Sequence, residues 1–289
     1  IFKEEGLFSS DDYFLYKIPA SMSDLCLGNC SDIYRNYRIN VRRFKDGEVV
    51  QHAFSETDIV EPISMQQPQY RPPGAAQNLS TINLSAFPYY VKIYPSKHAK
   101  LYEVFLRFNY LEQTKQGYLD DLAENVNYPK NGIVEKYVDF QLGAELASDI
   151  EYLGGGNGTI DFLISPSSFF QHLEAQISEQ DISDPEFYRY PVNTVTMQGG
   201  WGNTSGTYHR CFDVHITAAN SELYTYLNAN QTVFGLNQDS PGYNNIENGL
   251  GHFSSRSILN LKNLFVTNVT IDSLSFGQIT KNLNWVAIK

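Results

Sequence analysis

Five apolar side chains at every second position of one stretch constrain this chain more than any other feature. Within 101–112, Tyr102, Val104, Leu106, Phe108 and Tyr110 alternate with Glu103, Phe105, Arg107 and Asn109. Successive side chains of an extended strand point to opposite faces, so the stretch reads as a strand with one buried face. The same period recurs in 37–43, where Tyr37, Ile39 and Val41 share a face. The pair Asp46-Gly47 then predicts a turn, with 49–54 returning as the second arm of a hairpin. In 134–142 the apolar side is Val134, Val138, Phe140 and Leu142, with Lys136 breaking it. Further strands are expected over 159–164, 187–197, 208–217, 258–266 and 285–288.

Two segments carry a helical period instead. Ser165 is placed to cap a helix with Pro166 at its first position, and Phe169, Phe170, Leu173 and Ile177 fall on one face. Asn220 or Ser221 is placed to cap 222–228, which sets Leu223, Tyr226 and Leu227 on a common side. Many short strands with turn-rich connections and few helices predict a mainly β chain, an antiparallel β-sandwich with a few short helices. Pro62, Pro68, Pro72 and Pro73 stiffen 61–74 and remove backbone donors, which marks either a linker or a long crossover. The expected division is a small N-terminal, Ig-like β region over 1–62 and a larger β-sandwich over 75–289.

Composition supports this and narrows function. Charged residues are 18% and aromatic residues 14%, the balance of paired strands and polar loops. No apolar run reaches the roughly 20 residues of a membrane-spanning helix. A net charge of −11 repels phosphate backbones and anionic lipid heads, so neither a nucleic-acid partner nor membrane binding through a polybasic patch is expected. The chain begins at Ile1 without a charged and apolar leader, the pattern expected of an exported protein after removal of its targeting segment. Cys26-Leu-Gly-Asn-Cys30 closes a small disulfide or leaves two thiols, and sequence leaves both open.

Chemistry-bearing motifs are few. Gly154-Gly-Gly-Asn-Gly158 lacks the following Lys and helix of a phosphate loop and reads as a turn. On an alternating strand His209, Cys211, Asp213 and His215 share a face, a pattern open to a metal but equally that of a solvated strand face; no metal or other cofactor is expected. Asp120, Asp121 and Glu124 read as solvated helix surface, lacking a calcium-loop spacing. No nucleophile or zinc-hydrolase signature occurs, so a non-enzyme is expected, with dispersed glycosidase carboxylates as the weaker alternative. Aromatic rings beside Gly-rich or Pro-bounded loops are the expected ligand contacts: Trp201 in Gly199-Gly-Trp-Gly-Asn203, and Tyr188 and Tyr190 in Phe187-Tyr-Arg-Tyr190.

The segment 213–253 carries a resemblance. A strand, Phe212-Asp-Val-His-Ile-Thr217, precedes a helix with Leu223-Tyr-Thr-Tyr-Leu227 and then Tyr243-Asn-Asn-Ile-Glu-Asn-Gly-Leu-Gly-His-Phe253. This resembles the closing segment of a Bacteroidota family of secreted outer-membrane lipoproteins of unknown function, with an Asn-Ile-x-Asn-Gly-x-Gly-x-Phe signature. The stretch 37–61 resembles that family's N-terminal region more loosely. His252 and Ser254 depart from its small or apolar continuation, and its lipid-attachment Cys is absent from this chain. The resemblance implies a lipid-anchored cell-envelope protein encoded beside a TonB-dependent transporter. The resulting expectation is non-catalytic capture of a glycan or peptide, or service to that transporter; the alternative is a structural or adhesive surface protein. In the signature itself Gly249 and Gly251 permit positive φ or close approach, and Asn245 and Asn248 can bond nearby backbone.

Overall fold

The computed structural model describes residues 2–4, 13–15, 36–68, 81–85, 87–126, 129–146, 158–192, 194–197, 206–231 and 243–286. In chain order these form β1 (Phe2–Glu4), β2 (Tyr13–Leu15), β3 (Asn36–Lys45), β4 (Glu48–Asp58), β5 (Ser64–Gln67), β6 (Thr81–Ile82), β7 (Tyr89–Tyr94) and β8 (Leu101–Thr114). Then come α1 (Lys115–Ala123), β9 (Ile133–Leu146), β10 (Ile160–Ile164), α2 (Pro166–Gln176), β11 (Phe187–Pro191), β12 (Thr194–Met197), β13 (Gly206–Ala219), α3 (Ser221–Gln231), β14 (Arg256–Val266) and α4 (Asn268–Phe276). The protein is mainly β, with antiparallel sheets and short helices.

The alternating stretch at 101–112 lies at the heart of the larger sheet. β8 pairs antiparallel with β9 from Leu101↔Leu146 to Gln113↔Ile133, and on its other side with β13 and then β11. β14 continues the sheet beside β13, and β6 joins it in the one parallel pairing among the described strands. A second sheet, β10-β7-β5, is antiparallel. Val104, Leu106 and Phe108 of the first sheet and Val91, Ile93 and Phe162 of the second enter one buried cluster. Both sheets therefore present one face to a common core, as the alternation requires.

Helix α2 packs into this core through Phe169, Phe170 and Leu173, and Ile177 just past its end is also buried. Phe169 meets Phe108 edge to face at 6.0 Å, a geometry that aligns ring edge with ring face. Ser165 occupies the N-cap position without a capping bond; its hydroxyl lies 3.0 Å from that of Ser167. Asn220 does cap α3, its Oδ1 accepting from the Leu223 N–H at 3.1 Å.

The hairpin expected after 37–43 is β3–β4, with Asp46 and Gly47 both at positive φ. Its base is tied to distant residues. Asn220 Nδ2 donates to Thr57 Oγ1 at 2.6 Å, Ser55 Oγ donates to the Asn245 carbonyl at 2.6 Å, and Phe54 and Glu247 exchange backbone bonds. The boundary expected at 62 falls among shared contacts. Val60 and Ile63 lie in the common core, and β5, inside the Pro-rich stretch, pairs with β7.

The core face of β8 ends in a charge. Glu112 continues the even-numbered row and accepts from Arg189 Nε at 3.0 Å and from Lys136 Nζ. Lys136 interrupts the apolar side of β9 because it faces this carboxylate. Arg189 is 3% exposed, and its Nη1 also donates to the Leu283 carbonyl at 2.6 Å. Beside it, Asp121 is a buried organiser of the turn from α1 to β9, not solvated helix surface. Its carboxylate accepts from Gln113 Nε2 at 2.5 Å, from the Lys130 N–H at 2.8 Å and from Asn131 Nδ2 at 2.6 Å. Burial opposes its charge, but these donors outweigh burial and hold its pKa below the ordinary value. Gly117 is required where this turn closes, since a Cβ there would overlap the Asn131 carbonyl.

Removing one partner of a buried ion pair leaves the other uncompensated. Glu112→Ala strands the buried Arg189, which has no other carboxylate partner among the described residues, and is therefore expected to cost about 3–5 kcal/mol, read as a lower urea midpoint. The joint change Glu112→Leu with Arg189→Met recovers most of that loss, because no lone charge stays buried.

Candidate ligand cleft on the outer sheet face

The face of the large sheet that points away from the core is polar where α1 and β11 do not cover it. From β8 it presents Arg107 and Asn109, from β9 Tyr137 and Asp139, from β13 Asp213 and His215, and from β14 Asn260. At one end lies a half-open cleft of about 340 Å³, lined by Asn109, Glu135, Lys136, Tyr137, Val192, Arg210, Asp213 and Asn263.

Local irregularity builds this cleft. Plain alternation along β13 sets Arg210 on the side of Phe212, Val214 and Ile216, which are buried. The register instead shifts between His209 and Phe212 and again between Phe212 and Val214. An extra residue in a strand re-aims the side chains around it, and here Arg210 joins Asp213 in the cleft. Opposite them, Asn263 adopts φ 58°, and its backbone N–H donates to Asp213 Oδ1 at 2.7 Å. Asp213 Oδ2 accepts from Asn109 Nδ2 at 3.1 Å. The carboxylate is thus buried and oriented by neutral donors.

The aromatic wall is equally held in place. Arg107 makes a two-bond contact with Asp139, at 2.7 and 2.8 Å, and its guanidinium lies 3.9 Å from the centre of the Tyr137 ring. The hydrogen bond to Asp139 raises the Arg107 pKa further. Tyr137 remains 57% exposed, so it is a surface ring with a fixed orientation. Arg210 is stacked over Phe265 at 4.6 Å.

The rings expected at a site lie elsewhere. Trp201 lies outside the described residues. Tyr188 is half-buried on β11 and stacks on Tyr118 with ring centres 3.9 Å apart. Tyr190 is 4% exposed, and its hydroxyl donates to Gln113 Oε1 at 3.0 Å; burial raises its pKa. Its ring is buried on the face of the sheet beside α1, in register with Leu111, while the neighbouring Arg189 takes the core face opposite Glu112. Tyr137 was the overlooked signal, an aromatic ring on the polar side of an alternating strand.

The other motifs resolve as structure. His209 and Cys211 are buried, and burial lowers the first pKa and raises the second. His215 stacks on Phe105 at 4.5 Å, and its Nδ1 lies 2.8 Å from Asn260 Oδ1. Among the described residues, no group of three or more His, Cys, Asp or Glu side chains is placed to hold a metal. Cys26, Cys30 and residues 154–157 lie outside the described residues, while Gly158 has φ 70°.

The signature segment forms a clamped loop. Asn245 Oδ1 accepts from the Phe253 N–H at 2.7 Å while its Nδ2 donates to the Phe253 carbonyl at 2.8 Å. Gly251 has φ 126°, and a Cβ on Gly249 would meet that of Ala53 at 3.2 Å, so the loop seats against β4. Asn248 takes positive φ itself.

No known protein family matches the chain, and neither does any curated protein or solved structure. Function is therefore argued from the cleft.

Asp213→Ala strips an acceptor from two part-buried donors, the Asn109 side chain and the Asn263 N–H. The expected loss is about 2 kcal/mol, measured by chemical denaturation, with the β8–β13–β14 outer face loosening first in amide exchange.

Proposed function

We propose that this chain is a non-catalytic capture protein of the cell envelope that holds a small polar ligand, a glycan unit or short peptide, in the outer-face cleft. The observation that carries the reading is the pairing of the exposed, oriented Tyr137 ring with the hydrogen-bonding groups of Asn109, Arg210 and Asp213. An aromatic face stacks on the apolar face of a sugar ring or a side chain, while a few fixed polar groups read its hydroxyls or amides. Asp213 spends one lone pair of each oxygen on the protein and keeps the others for a ligand. The likeness of 213–253 to secreted lipoproteins supports export, lipid anchoring and service beside an outer-membrane transporter.

Glu135 and Asp213 line the same cleft, so glycoside hydrolysis remains the natural competing chemistry. The arrangement favours binding, because neutral donors hold Asp213 in place as an acceptor. In a panel of oligosaccharides and short peptides read by ligand-observed NMR, the protein is expected to bind at least one compound class and leave it chemically intact. Tyr137→Ala is expected to weaken that binding by roughly tenfold, a stacking loss of about 1–1.5 kcal/mol. Binding unchanged by that variant would remove the cleft from consideration, and cleavage of the compound would establish an enzyme.

One observation favours a second reading, surface assembly. Beyond Ala53 the β3–β4 ribbon exposes Val41, Phe44, Val49 and Val50. A two-stranded ribbon is marginal on its own, and such apolar exposure marks a contact surface. Residues 38–52 carry four basic and two acidic side chains on a chain of net charge −11, which fits the ribbon to a second copy of this chain. On that reading light scattering detects a dimer or larger species at low salt, and Val41→Glu with Phe44→Glu returns it to monomer. A wild-type monomer at high concentration would remove this reading.

A further inference from the structure

Resting on the capture reading, the geometry points to a narrower ligand class: we propose that Arg210 anchors a carboxylate, so that the captured ligand is acidic. Arg210 lines the cleft, yet no carboxylate lies within ion-pair distance of it among the described residues, although Asp213 is three positions away on the same strand. The reason is visible in the hydrogen bonds. Both Asp213 oxygens are turned toward Asn109 and Asn263. The other cation of the cleft, Lys136, is committed to Glu112. Among the described residues Arg210 is the cleft cation without a carboxylate partner.

Its setting makes that state costly. The Nε is enclosed without an acceptor among the described residues, and the guanidinium carbon lies 4.6 Å from the centre of the Phe265 ring. A cation partly withdrawn from water and given no counter-charge is poorly compensated, whereas an arriving anion compensates it. The contact with Phe265 also restrains the guanidinium before the ligand arrives, so less rotamer freedom is lost on binding. A planar fork with parallel N–H donors matches the two oxygens of a carboxylate. Asn109, Asp213 and the Tyr137 ring then face the remainder of the molecule.

The net charge of −11 opposes an anion at long range. At physiological ionic strength, however, charges more than about 8 Å apart are largely screened, while a contact inside the cleft is not. The local cation therefore outweighs the distant field.

The carboxylate has two chemical sources, a uronic acid sugar or a peptide C-terminus, and one titration series separates them. The probes are a galacturonic acid trimer with its methyl ester, and trialanine with its C-terminal amide, titrated calorimetrically into wild type, Arg210→Gln, Arg210→Lys and Tyr137→Ala. Urea midpoints confirm that each variant is folded. One acidic probe is expected to bind wild type at least tenfold more tightly than its neutral partner, the scale of a charge-assisted contact. Arg210→Gln should abolish that preference and Arg210→Lys should keep only part of it, and the preferred probe names the source. Equal binding of acidic and neutral forms, or a preference that survives in Arg210→Gln, overturns the anchor; if Tyr137→Ala still weakens binding, the capture reading stands alone. Binding of no probe overturns both.

Discussion

The rest of the structure depends on β8. Its fourteen residues hydrogen-bond to β9 on one side and to β13 and β11 in succession on the other. A strand paired on both edges cannot slip by one residue without turning every buried side chain to the surface. Tyr102, Val104, Leu106 and Phe108 therefore lock the register of three neighbours at once. What they meet on the inner side, the second sheet and helix α2, is the condition for a stable core.

The same constraint fixes what the outer face displays. Because the even positions are buried, the odd positions Arg107 and Asn109 must point outward, and β9 and β13 add Tyr137, Asp139 and Asp213 in line with them. The ligand cleft is thus the reverse side of the core. Its polar groups are oriented by strands on both sides, which gives the preorganisation that binding requires. At the far end, charges that would be exposed on a shorter sheet are enclosed. Glu112 takes both Lys136 and Arg189, and Asp121 gathers the donors of the return loop.

Much of this was legible from residues alone. The alternation at 101–112, the Asp46-Gly47 turn, the helix at Pro166–Gln176 and the capped helix after Asn220 are local patterns, and each formed, although Ser165 makes no capping bond. Strands β5 and β7 and helix α4 were not read in advance, and α1 was read only as a helical turn at Asp120, Asp121 and Glu124. β7 is Tyr-Tyr-Val-Lys-Ile-Tyr, whose alternation is blurred by outward-facing aromatic residues, and β5 sits in a proline-rich stretch that resembles a linker. The site was less legible than the fold. Tyr190 looked like a loop ring and is buried beside α1, whereas Tyr137 looked like a strand residue and is exposed.

The sequence by itself determined the class of structure, the strands with strong alternation, two helices with their caps, and the sign of the surface charge. Those properties follow from neighbours a few residues apart, through backbone geometry and side-chain period. Only the tertiary structure decided that Lys136 and Arg189 both answer Glu112, that Asp121 is buried, and that Arg210 turns into the cleft beside Asp213 with no carboxylate partner among the described residues. Each of these joins residues far apart in the chain or depends on a register shift against a distant strand. No local pattern encodes such pairings, because the energy that selects them is the cost of burying a charge or a donor without a partner.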